Sequence, residues 1–158
     1  MKLLLAVALI SASFATQARD IDAKVIVGFS SYHFNSSDRK YLNQSNPSIG
    51  LELYDVQAVY VSKNSWDEES LYLTYAPDYR VNDYLSLSAN IGIATGYKCT
   101  NKVKHGRLTY NKVNYCNGSG VVFLPALTVD YSPFANRFAL SVSVNPSVAM
   151  FSVNYSFD

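Results

Sequence analysis

"LSLSANIGIA", Leu85 to Ala94, decides the fold. Leu85, Leu87, Ala89, Ile91 and Ile93 alternate with Ser86, Ser88, Asn90, Gly92 and Ala94. A period of two places the first set on one face of a strand and the second on the other, whereas a helix would bring together residues three and four apart. One face is wholly apolar and the other is small and mostly polar.

Working outward, the same pattern returns in seven further runs, over residues 23–30, 49–53, 56–63, 70–76, 121–131, 138–145 and 149–157. Ala23, Val25, Val27 and Phe29 oppose Lys24, Gly28 and Ser30; Phe138, Leu140, Val142 and Val144 oppose Ala139, Ser141, Ser143 and Asn145. Only the run from Val56 to Lys63 alternates less cleanly. Alternation by itself fits a sandwich, a lipocalin-like barrel or a membrane barrel. Three features favour the last. The longer runs approach the roughly 9–11 residues that a tilted strand needs to cross a bilayer. Tyr54, Tyr97, Tyr131, Tyr155 and Phe157 gather at strand ends, where interfacial aromatic girdles form. Short and long connections also alternate, as short periplasmic turns and longer outer loops do. The fold expected is all-β: an eight-stranded antiparallel up-and-down barrel of the bacterial outer membrane.

The N-terminus agrees with export. In MKLLLAVALISASFATQA, Lys2 precedes an apolar core from Leu3 to Ile10, and Thr16-x-Ala18 offers small residues for cleavage. That core is too short for a membrane-spanning helix and fits a secretory signal. Residues 1–18 are therefore expected to be removed, and residues 19–158 to form one domain. Lys2 leaves with the signal, so twelve basic residues face twelve acidic ones. This balance gives no general reason to expect a nucleic-acid partner. Cys99 and Cys116 are expected to pair in an oxidising compartment, closing a loop worth about 3 kcal/mol by chain entropy. No metal site or cofactor is expected, since His33 and His105 have no ligand spacing. Lys24 and Glu52 are expected to pair in a narrow lumen, and Asp130 to sit near Arg137 across one short turn.

In an even-stranded barrel with both termini inside, the connections after the first, third, fifth and seventh runs face outward. The first holds His33, the second is the tip Asn64-Ser65-Trp66, and the third carries the cysteines with Lys98, Lys102, Lys104, Arg107 and Lys112 and no acidic residue. A histidine and a serine on one rim permit a base and a nucleophile, with Asn64 or a loop-one Asp or Asn orienting the imidazole. Five cations beside an outer leaflet permit contacts with lipopolysaccharide phosphates. Equally, Ser65 is an ordinary turn residue and the basic loop is solvated.

Four stretches together resemble the lipid A palmitoyltransferase family. "SSYHFNSSDRKYLNQSNPSIGLEL" looks like its first outer loop, and "VYVSKNSWDEESLYLTYAPDYR" like its next outer hairpin with Ser-Trp at the tip. "LSLSANIGIATGY" and "VVFLPALTVDYSP" resemble the strands that follow. The resemblance implies an outer-membrane acyltransferase that moves an acyl chain from a phospholipid to lipid A; the chain is expected to be a monomer. It places His33 and Ser65 on the essential histidine and serine. Asn64 falls where the family has an aspartate, and Asp38, Asp67 or Glu68 are candidates to substitute for it. Ala76 falls near the residue that forms the floor of the acyl-chain pocket. The alternative reading is a non-enzymatic barrel acting through its basic, disulfide-closed outer loop in adhesion, receptor masking or surface remodelling. Lipid A deacylation fits less well, because the last three runs contain no histidine.

Overall fold

The computed structural model describes residues 23–97, 103–105, 108–110, 120–133 and 137–157, the two three-residue segments by their backbone alone. The expected signal sequence, the two cysteines expected to pair and most of the basic third loop lie outside these residues.

The chain forms strands β1 (Ala23–His33), β2 (Ser45–Leu53), β3 (Val56–Val61), β4 (Ser70–Tyr75), β5 (Asp78–Asn82), β6 (Leu85–Ala94), β7 (Val103–His105), β8 (Leu108–Tyr110), β9 (Val122–Phe123), β10 (Ala126–Tyr131), β11 (Phe138–Val144) and β12 (Val148–Phe157). One short helix, α1 (Ser36–Tyr41), lies between β1 and β2. Every pairing is antiparallel, and the order β10-β11-β12-β1-β2-β3-β4-β6 closes through β6 and β10, with Leu85 opposite Tyr131 and Asn90 opposite Ala126. The wall has eight staves, because β4 with β5 makes one and β9 with β10 makes another, each against one edge of β6.

Prolines explain both interruptions. Pro77 separates β4 from β5, and Pro125 separates β9 from β10; neither has an N–H to give the ladder. The sequence pattern treats residues 121–131 as one run, and the register on β6 continues across Pro125, so β9 and β10 form one stave. The pattern leaves 78–82 outside any strand; this is corrected by the register on β6, which continues past Pro77 into β5. Tyr54 and Asp55 form the β2–β3 turn with φ of 49° and 65°, the two left-handed positions of a type I′ hairpin.

The barrel is inside-out. Among the described residues, twelve buried side chains are polar or charged and six are apolar, while Ile49, Leu73, Ile91, Leu127 and Leu140 stand exposed on the outer wall. A soluble sandwich buries its apolar face, so this distribution assigns the outer wall to lipid and rules out the sandwich. No described helix is long and apolar enough to cross a membrane; the strands do so.

The lumen is filled by polar groups at the end where the chain begins and finishes. Lys24 on β1 lies 3.0 Å from Glu52 on β2, its direct cross-strand partner. It also reaches Asp78 on β5 at 2.7 Å and Asp130 on β10 at 3.8 Å. Gln57 donates to Glu52 at 2.6 Å, and Asn154 donates to Ser141 at 2.7 Å beside Asp130. The Lys24–Glu52 pairing is as expected. The pairing of Asp130 with Arg137 is not: Asp130 turns inward to Lys24, and Arg137 is exposed. A carboxylate that must leave water is held more cheaply opposite a buried ammonium than toward lipid.

Candidate functional site at the loop rim

His33 owes its position to an irregularity that period-two reading misses. Strict alternation from Lys24 sends Tyr32 inward and His33 outward. A bulge between Gly28 and Ser30 shifts the register of β1 against both β2 and β12, and the faces exchange. Tyr32 is 47% exposed and His33 only 4%.

The segment after α1 then fixes the imidazole. Gln44 Nε2 lies 2.9 Å from His33 Nδ1 and also donates to the Leu42 carbonyl at 3.2 Å, while Gln44 Oε1 accepts from the His33 N–H at 3.3 Å. An amide NH2 only donates, so Nδ1 accepts and the neutral ring carries its proton on Nε2. Gln44 orients the ring but has no charge with which to stabilise an imidazolium. Arg39 secures this loop from α1, donating to Tyr32 Oη at 2.8 Å and to the Phe34 carbonyl at 3.0 Å.

Asn64 is fully buried. Its Oδ1 accepts from the N–H groups of Trp66 (2.7 Å) and Glu68 (3.2 Å); its Nδ2 donates to Ser70 Oγ (2.8 Å) and to the Gly96 carbonyl (3.4 Å). Both ends of the amide are thus committed to shaping the β3–β4 tip and tying it to the segment after β6. No hydrogen bond joins Asn64 to His33. Gly96 completes this junction at φ +80°, with the Glu69 carbonyl where a side chain would begin. Gly96→Ala is expected to cost about 1–2 kcal/mol from the left-handed backbone alone, and more from the overlap. Urea unfolding followed by Trp66 fluorescence checks this, and an unchanged midpoint would count against the junction's role.

Ser65 is half-buried at the mouth of a lumen cavity of about 130 Å³, which it lines together with Tyr72 and Tyr97. The two phenol oxygens are 2.9 Å apart, and Trp66 packs edge-on against Tyr97 at 4.8 Å between ring centroids. Tyr97 lies beyond the strands; withdrawal from water, with Tyr72 beside it, raises its phenol well above the ordinary tyrosine range. It is a hydrogen-bond donor at neutral pH and not a base.

His33 and Ser65 therefore share one rim, bridged by consecutive residues: Gln44 holds the imidazole, and the Asn43 N–H donates to the Ser65 carbonyl at 3.0 Å. No hydrogen bond joins the two side chains, and His33 does not line the cavity. Ala76 is fully buried on the lumen side, but the cavity lining includes Thr74 and stops short of Ala76. Lys104 lies in β7, opposite Thr109 of β8. Lys98, Lys102, Arg107, Lys112, Cys99 and Cys116 lie outside the described residues. Among the described residues no cluster of His, Cys, Asp and Glu fits a metal ion. Sequence reasoning passed over Ser70, Tyr72 and Gly96 as parts of this site, and it placed Tyr97 in the interfacial girdle, whereas Tyr97 lines the lumen cavity beside Tyr72. The lone signal was the Thr95-Gly96-Tyr97 step after the clearest strand, where glycine marks a left-handed turn.

The sequence matches no protein-family model and no curated protein. Its fold is similar to that of the Yersinia pestis outer membrane protein Ail. Against the Ail backbone structure in a phospholipid bilayer nanodisc, identity is 14% with a TM-score of 0.48, covering 87% of this chain and 100% of that one. Against the Ail crystal structure with the heparin analogue sucrose octasulfate, identity is 11% with a TM-score of 0.40, covering 88% and 100%.

Proposed function

We propose that this protein is a non-enzymatic barrel of the bacterial outer membrane that binds anionic surface partners through its loop rim. The observation that carries this reading is the bracing of the first two outer loops. The Asn43 N–H donates to the Ser65 carbonyl (3.0 Å), Asn43 Nδ2 to the Asn64 carbonyl (3.3 Å), Asn46 Nδ2 to the Lys63 carbonyl (3.1 Å) and the Ser62 N–H to the Pro47 carbonyl (3.0 Å). Loops joined in this way lose little freedom on binding, which favours recognition of a partner over closure around a substrate. The third loop adds five cations and no acid in the sequence from Tyr97 to Ser119, a composition suited to lipopolysaccharide phosphates or another anionic surface.

Reversing Lys98, Lys102 and Arg107 to glutamate is expected to weaken binding to vesicles containing lipopolysaccharide by about tenfold or more, with the effect shrinking as salt rises. Ser65→Ala is expected to leave that binding unchanged. Equal binding by the reversed variant would sink the proposal.

A second reading, acyl transfer from phospholipid to lipid A with Ser65 as nucleophile and His33 as base, draws support from the place of Ser65 at the cavity mouth on the same rim as His33. It requires His33 to release Gln44 or change tautomer before accepting a proton. Mass spectrometry of lipid A incubated with the barrel and phospholipid separates the two: one added acyl chain, lost in Ser65→Ala, would favour this chemistry over the binding module.

A further inference from the structure

The lumen cavity beneath the rim has a lining that no rim-binding role uses. It lies on the loop side of the Lys24 cluster, and none of the residues that line it is charged. Val61, Val148 and Met150 give it apolar surface, while Ser31, Asn46 and Asn90 bring polar groups from β1, β2 and β6. Ser31 Oγ, Asn46 Oδ1 and Asn90 Oδ1 are all buried and have no hydrogen-bond partner among the described residues. Ser31 is 7% exposed.

The roles of the two amides follow from their other ends. Asn46 Nδ2 donates to the Lys63 carbonyl at 3.1 Å, and Asn90 Nδ2 donates to Thr128 Oγ1 at 2.9 Å. The Lys63 carbonyl only accepts, which fixes Asn46 Oδ1 as an acceptor; the Thr128 hydroxyl can donate or accept, and with Asn90 Nδ2 donating to it Asn90 Oδ1 is an acceptor too. β6 stands across the barrel from β1 and β2, so the acceptors approach the cavity from opposite walls. Buried acceptors left unmet cost about 1–3 kcal/mol each, so the cavity favours a guest that carries donors.

We infer that this cavity is a binding site for a small uncharged molecule with an apolar body and hydroxyl donors, an aliphatic alcohol or diol, entering from the loop rim. Its volume of about 130 Å³ suits a guest of this kind, since a cavity of roughly 150 Å³ accepts a six-atom ring. Hydroxyls go to Asn46 Oδ1 and Asn90 Oδ1, with Ser31 Oγ able to donate or accept, and the methylenes lie on Val61, Val148 and Met150. A carboxylate or phosphate would leave water with no cation in the lining to compensate its charge, so an uncharged guest is favoured over an anion.

Nitrogen–proton NMR of the full barrel in lipid nanodiscs tests the site, with pentanediol as probe and glutarate, its dianionic counterpart, as control. Pentanediol is expected to shift the Asn46 and Asn90 side-chain amides and the Trp66 indole, which packs on the cavity-lining Tyr97, in one saturable transition. Glutarate is expected to leave them in place. In Asn46→Leu/Asn90→Leu the affinity is expected to fall at least tenfold, with the heat-modified gel shift of a folded barrel confirming assembly. If the double variant does not assemble, Asn90→Leu alone carries the comparison. Non-saturating shifts in the wild type, equal affinity in the variant, or equal binding of glutarate would each overturn the inference. Charge reversal in the third loop tests the rim proposal separately and should not alter pentanediol binding.

Discussion

Replacing Lys24 with methionine is expected to be the most damaging single change in the barrel. Lys24 is the one ammonium among Glu52, Asp78 and Asp130, at 3.0, 2.7 and 3.8 Å. The Lys24, Glu52 and Asp130 side chains are 10%, 4% and 8% exposed, so their charges are held away from bulk water. Asp78 is 33% exposed and water screens it more, so its pairing contributes less. Removing one partner of a buried pair leaves the other charge uncompensated, at about 3–5 kcal/mol. The unfolding midpoint in urea, measured on barrels inserted in vesicles, is expected to fall by that equivalent. Lys24→Met/Glu52→Gln is expected to recover about 1–2 kcal/mol, the coupling typical of groups in direct contact. A single variant within about 0.5 kcal/mol of wild type, the usual range for surface changes, would show that the cluster does not hold the lumen.

The second large effect concerns Asn64. The family resemblance makes aspartate the catalytic form at this position, so Asn64→Asp ought to gain activity if the residue serves chemistry. The hydrogen bonds argue for the opposite result. Aspartate can still accept from the Trp66 and Glu68 N–H groups, but its second oxygen cannot donate to the Gly96 carbonyl, which it would face as an anion. Ser70 can turn its hydroxyl to donate; a carbonyl cannot. At a site with no exposure, this is expected to cost about 2–3 kcal/mol. The readouts are a lower urea midpoint, a red-shifted Trp66 emission and no acyl transfer to lipid A. Gain of transfer at unchanged stability would restore Asn64 to a catalytic role.

These two positions show how differently sequence information reached the lumen and the rim. Lys24 and Glu52 were readable as a pair, because both lie on the polar side of neighbouring alternating runs and become cross-strand partners. Asp130 joins them by closure of β10 on β6, which brings distant staves around one lumen; its nearness in sequence to Arg137 pointed to a different partner. At the rim, His33 and Ser65 were readable as neighbours in topology. Their setting depends on Gln44 and Asn43, whose contacts arise only after α1 has turned the chain back toward the wall. The α1 turn has little sequence signal beyond its Asn35 cap, whose side chain accepts from the Ser37 N–H at 2.8 Å.

By itself the sequence determined the antiparallel strands, their number as staves and the division of each strand into an apolar and a small polar face, because side-chain alternation is a local property of the extended backbone. It also determined that a lysine and a glutamate would meet on the polar face. Tertiary structure decided which side faces lipid, because the same alternation serves a sandwich and only closure of the sheet encloses the polar face. It decided the inward turn of His33, since one bulged residue reverses every side chain beyond it. And it decided that Asn64 braces the tip, because its four hydrogen-bonding partners come from the tip, the start of β4 and the segment just past β6, brought together by the pairing of β4 with β6.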